Sequence, residues 1–89
     1  MKNKTTEIVN KMGFHARAAA KFVHQANEFQ SKIFVTYNNQ TVNGKSIMGL
    51  LMLAAPYRGK IEISASGADE DNALEALTKI IEEGFNETV

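Results

Sequence analysis

A chain of 89 residues, 44% apolar and 22% charged, suits one small globular domain and excludes a disordered one. It has no cysteine, which excludes disulfides and thiolate metal sites; its longest apolar stretch, Ile47 to Ala55, contains Gly49 and is far short of the ~20 residues a membrane-spanning helix needs. Net charge is zero but unevenly spread: residues 1–60 hold nine of the ten Lys and Arg against Glu7 and Glu28, and residues 61–89 hold eight of the ten acids against Lys79.

That asymmetry has two readings: a basic first part that steers acidic partners, or acids that simply coat a last helix. No Lys/Arg cluster is interleaved with exposed aromatics, since Phe22, Phe29 and Phe34 read as core, so nucleic acid is not an expected partner. No apolar run near the start is long enough for a signal peptide, and the expectation is a soluble, cytoplasmic protein with no membrane insertion.

In chain order, Lys4 to Asn10 is a modest strand candidate. Ala19, Phe22, Val23 and Ala26 then recur at i, i+3, i+4 and i+7, which predicts an amphipathic helix from Ala16 to Asn27. Lys32 to Tyr37 is a clear strand, and Asn38-Asn39 is a tight turn into Gln40 to Asn43. Ser46 opens a short helix that runs to about Leu53, and Pro56 with Gly59 marks a loop. Lys60 to Ser66 alternates with period two, and Gly67 breaks it. Asp69 is placed to cap a last helix whose buried stripe is Ala73, Leu74, Leu77, Ile80, Ile81 and Phe85, with Gly84 or the residues after it ending it. The order βαββαβα argues for an α+β domain, one sheet with helices on a single face. Strand order does not follow from the pattern.

Chemistry concentrates at Gly13-Phe14-His15-Ala16-Arg17-Ala18-Ala19-Ala20. Gly13 frees the backbone to turn, and no Ser, Thr, Asp or Asn precedes the helix, so its first N–H groups point at whatever sits beside His15. That end carries partial positive charge, which disfavours an imidazolium and favours a bound anion. His15 then offers a nitrogen nucleophile for a phosphoryl group, and Arg17 a guanidinium suited to phosphate oxygens. The plainer alternative is a solvated histidine that begins a helix beside a surface arginine. Ser46 is the second candidate, although an N-cap role explains it by itself. The third is the short helix. Ile47, Leu50, Leu51 and Ala54 form one stripe, and Met48 and Met52 lie off it, so apolar residues on two sides suggest a docking surface or a deeply buried helix.

The segment from Gly13 to Ala19 resembles the signature Gly-aliphatic-His-Ala/Thr-Arg-Pro-Ala of the histidine-containing phosphocarrier (HPr) family of the bacterial phosphotransferase system. Asn43-Gly44-Lys45-Ser46-Ile47-Met48-Gly49 resembles the family's second signature at the expected distance, and the resemblance extends over essentially the whole chain. Ala18 replaces the usual proline, and Phe14 a branched aliphatic. The resemblance implies a four-stranded antiparallel open-faced sandwich covered by three helices. It also implies that enzyme I passes a phosphoryl group from phosphoenolpyruvate to Nδ1 of His15, which hands it to IIA domains, with Arg17 stabilising phosphoryl charge. It implies a regulatory phosphorylation of Ser46 by a kinase/phosphorylase, and docking positions at Ile47, Met48 and Leu51 bordered by Arg17, Ala20 and Lys21. The chain would then be a monomeric transfer component rather than a free-standing enzyme, with no bound cofactor and no metal of its own.

Two rivals are a regulatory, nitrogen-related branch of the same family and an interaction module that transfers nothing. Other chemistry is not supported: Gly44-Lys45-Ser46 imitates a P-loop ending but has Asn39 where the first glycine belongs. His15 and His24, nine apart on one helix, are not at a usual metal-pair spacing.

Overall fold

The structure is a computed structural model that describes residues 1–86; Glu87, one of the acids counted above, lies outside them. Strands β1 (Lys2–Glu7), β2 (Lys32–Tyr37), β3 (Gln40–Asn43) and β4 (Lys60–Ser66) form one antiparallel sheet in the order β1-β4-β2-β3. Helices α1 (Ala16–Ala26), α2 (Ile47–Leu53) and α3 (Glu70–Glu82) complete the expected βαββαβα sequence, followed by a 3-10 turn, Gly84–Asn86. Helix α3 packs on β1 and β4, α2 along β2 and β3, and α1 against both other helices.

Register explains which face the helices take. Ile63 of β4 stands opposite Val35 of β2, and Val35 opposite Val42 of β3, so the branched residues of three strands line one side. Ile61, Ile63, Ala65, Ile33 and Val35 are all buried there, sharing a core with Phe22, Leu50, Leu77 and Ile81. On the opposite side Thr5, Glu62, Thr36 and Thr41 form a polar row, and the hydroxyls of Thr36 and Thr41 meet at 2.8 Å. Phe34 faces Ser64 and Asn43 in that open side, so it is half-buried there and is not the core residue its aromatic ring suggested. Phe22 is in the core, and Phe29 packs partly buried against it.

Three expectations are changed by the structure, each for a physical reason. Strand β1 begins at Lys2 and ends at Glu7, because Lys2 and Asn3 find partners in Ala65 and Ser64 while the chain beyond Ile8 bends into the site loop. Phe85 is buried as expected, yet it lies outside α3: Gly84 adopts φ 64° and ends the helix, and Phe85 follows at φ 56°. Asp69 stands at the N-cap position of α3 without capping it. Its carboxylate instead accepts the backbone N–H of Gln30 at 2.9 Å, that of Ser31 at 3.0 Å, and the Ser31 hydroxyl, clasping the α1–β2 loop.

The Ser31 hydroxyl, with the Gln30 N–H next, holds the Asp69 carboxyl below its ordinary range. A carboxyl depressed in the folded state stabilises the fold above its unfolded value and loses that contribution as pH falls through the folded one. Asp69→Asn should therefore be less stable than the parent near neutral pH, with the difference shrinking in acid as the parent's carboxylate is protonated. Urea unfolding at neutral and acid pH checks this, and a difference independent of pH would remove the ionic account. Thr78 on α3 gives a contrasting case, since its buried hydroxyl has no hydrogen-bond partner among the described residues. Thr78→Val keeps the shape and removes the polar atom, and should raise unfolding stability by about 1 kcal/mol.

Candidate functional site

The loop before α1 is built from two distant stretches of chain. Asn10 is buried, and its side-chain Nδ2 donates to the Gly13 carbonyl at 2.8 Å while its backbone carbonyl accepts the Gly13 N–H at 3.1 Å. Phe14 donates its N–H to the Ala55 carbonyl at 3.0 Å, and Ile8 exchanges bonds with Arg58 at 2.7 Å and Gly59 at 2.9 Å. The α2–β4 loop thus backs the whole segment. Gly13 makes the approach close: its φ is 64°, and a Cβ there would lie 2.5 Å from the Ala55 oxygen. Phe14 is buried, edge-on to Phe22 with ring centroids 5.5 Å apart and tilted against Phe85 at 5.5 Å. An aromatic is therefore accommodated where the resemblance leads one to expect a branched aliphatic.

Anchored this way, the next residue is presented outward. His15 is the N-cap of α1, extended at φ −83° and ψ 178°, half-buried, with its carbonyl accepting the Ala19 N–H at 2.9 Å. Its side chain makes no capping bond to the helix. The N–H groups of Ala16, Arg17 and Ala18 have no carbonyl four residues back within the helix, and the first turn contains no acid. Arg17 is exposed in that turn and forms no ion pair among the described residues. One nitrogen base, a row of backbone donors and one guanidinium therefore share the positive end of a helix, an arrangement suited to an anion carried on the base. Ala18 is fully buried, so the position where proline is usual serves as core as well as helix entry.

The remaining sites expected from sequence fall around this point, with one correction. Arg17 and Ala20 are exposed on α1, and α2, which packs against α1, carries a second exposed set. Ile47 and Met48 are exposed and Leu51 half-buried on α2, but the buried seam of that helix is Leu50 and Leu53 rather than Ile47, Leu50, Leu51 and Ala54. Ala54 cannot extend the stripe because it is the C-cap, at φ 53° and ψ 36°, already outside the helix. Lys21 is only half exposed, and its ammonium donates to the Phe85 carbonyl at 2.7 Å, so it straps the chain's closing turn to α1. Nothing in the local sequence signals that bond, since its partner is 64 residues away. Ser46 caps α2 by accepting the Gly49 N–H at 3.0 Å. His24 is exposed on α1, and no group of three or more metal-ligating side chains exists among the described residues. No helix among them is long and apolar enough to cross a membrane.

Comparison with known proteins identifies the family. The family model for the phosphorylation site of the PTS HPr component matches residues 2–83, which include both motifs. Phosphocarrier protein HPr of Neisseria meningitidis serogroup A is 51% identical over 87 residues, 98% of each chain. The crystal structure of HPr-C-His from Thermoanaerobacter tengcongensis covers all of both chains with a TM-score of 0.95 at 46% identity. An HPr dimer from the same organism covers 98% of this chain and 100% of that one, with a TM-score of 0.78 at 47% identity. With a fold, a site motif and a full-length similarity that coincide, the chain belongs to the HPr family of phosphocarrier proteins of the phosphotransferase system.

Proposed function

We propose that this protein accepts a phosphoryl group from phosphorylated enzyme I on His15 and delivers it to IIA domains. The observation that carries the reading is the half-buried imidazole at the head of α1, where the helix's first N–H donors and Arg17 stand with no acid in the first turn. The Nδ1 lone pair forms the N–P bond as the bond from phosphorus to the donor atom breaks, and the donor keeps that electron pair. The three phosphoryl oxygens meet the N–H groups of Ala16 to Ala18 and the Arg17 guanidinium, which stabilise charge in transit. Transfer onward reverses these steps. Ile47, Met48 and Leu51, with Ala20 and Arg17 at their border, supply the docking surface, and Lys21 contributes by holding the closing turn.

Ser46 is the regulatory position in this reading. A kinase/phosphorylase that phosphorylates it adds up to roughly two negative charges beside Ile47 and Met48, opposing partners by charge and desolvation. The chain works in the cytoplasm as a monomer, since its single His15 face must serve donor and acceptor in turn.

Phosphorus NMR with phosphoenolpyruvate, Mg²⁺ and catalytic enzyme I tests the central claim. The parent protein should give an acid-labile phosphohistidine signal, and His15→Ala none. A signal that survives the substitution, or no signal from the folded parent, would remove the carrier reading.

A further inference from the structure

The sulfur atoms of this protein are distributed unusually. There is no cysteine, and all four methionines, Met1, Met12, Met48 and Met52, are exposed, although methionine is ordinarily among the residues most often buried. Met48 and Met52 are 67% and 75% exposed, and their i, i+4 spacing puts them on one face of α2, the helix that packs against α1. The buried core is built from Phe, Leu, Ile, Val and Ala, so chemistry at sulfur leaves it untouched.

We propose that Met48 and Met52 form an oxidation-sensitive pair, which hydrogen peroxide converts to sulfoxides and so weakens docking on this face. The sulfur lone pair attacks one peroxide oxygen, the S–O bond forms as the O–O bond breaks, and the second oxygen leaves with the transferred proton as water. Sulfur loses two electrons and peroxide gains them. A flexible apolar side chain becomes a polar one, and a partner that covers it must desolvate a sulfoxide for which an apolar surface offers no hydrogen bond. Exposure makes both thioethers accessible to a small oxidant, and reduction of the sulfoxide restores the original surface.

This inference rests on the docking role proposed above, and its test separates the two. Phosphoryl transfer from phosphorylated enzyme I is measured for untreated protein, for protein treated with hydrogen peroxide, and for treated protein reduced by methionine sulfoxide reductases, with peptide mass mapping of each sulfoxide. Treatment should raise KM for this protein on the order of tenfold, equivalent to burying one unpaired polar group, leave kcat nearly unchanged, and be reversed by reduction. A Met48→Leu/Met52→Leu variant should lose sensitivity to peroxide, its KM being the same before and after treatment. Met1, at the far end of β1, is oxidised in both proteins and serves as the internal control. An unchanged KM with both sulfoxides present, or equal sensitivity in the double variant, overturns the inference while leaving the carrier reading intact. Failure of the untreated protein to accept phosphate overturns both.

Discussion

Gly13→Ala should lower the thermal midpoint by about 10 °C or more, the effect of a loss of roughly 2–4 kcal/mol in a domain of this size. Two costs combine. A left-handed backbone, φ 64°, disfavours any residue with a Cβ by about 1–2 kcal/mol. The Cβ would also stand 2.5 Å from the Ala55 oxygen and 3.0 Å from the Pro56 Cα, so backbone rather than a pliable side chain must move. Any such movement is transmitted to the Phe14–Ala55 hydrogen bond and hence to His15. Calorimetry measures the first effect, and a change in the imidazole proton resonances of His15 measures the second. If the variant melts within a degree or two of the parent, the close approach of the two loops is not the constraint described.

Phe85→Ala should cost about 3–5 kcal/mol. The ring is fully buried and packs on Phe14, and it keeps its place despite φ 56°. Burying a phenyl group contributes roughly 2–3 kcal/mol, enough to outweigh a left-handed backbone at about 1–2 kcal/mol. Alanine retains the backbone cost and forfeits the burial. Denaturant unfolding with an unchanged slope would give the difference directly, and Phe85→Leu should recover more than half of it. A loss below about 1 kcal/mol would mean that the closing turn is not part of the cooperative core.

The residues that could be placed from sequence were those whose neighbours along the chain decide their environment. Strands β2, β3 and β4, the Asn38-Asn39 turn and the Ser46 cap coincide with expectation, because alternation, turn chemistry and capping are local. His15 and Arg17 at the head of α1 were legible for the same reason, since a glycine turn followed by helical spacing determines where they stand. What could not be read was cross-chain partnership. Asp69 reads as a cap and serves Gln30 and Ser31; Lys21, expected at the border of a docking surface, also straps Phe85. Phe34 reads as core because it is aromatic, but the register of β2 turns it to the polar side of the sheet. The α2 seam was misplaced because periodicity carries no information about where a left-handed residue, Ala54, stops the helix.

The bond from the Phe14 N–H to the Ala55 carbonyl, with the Ile8 bonds to Arg58 and Gly59, also orders events in time. On a ribosome the segment that bears His15 emerges early, but the carbonyls that shape it belong to residues made some forty positions later. A growing chain cannot hold that histidine in its folded setting until Ala55 through Gly59 have left the exit tunnel. The carrier role proposed for His15 is thereby closed to the nascent protein until its synthesis is nearly complete.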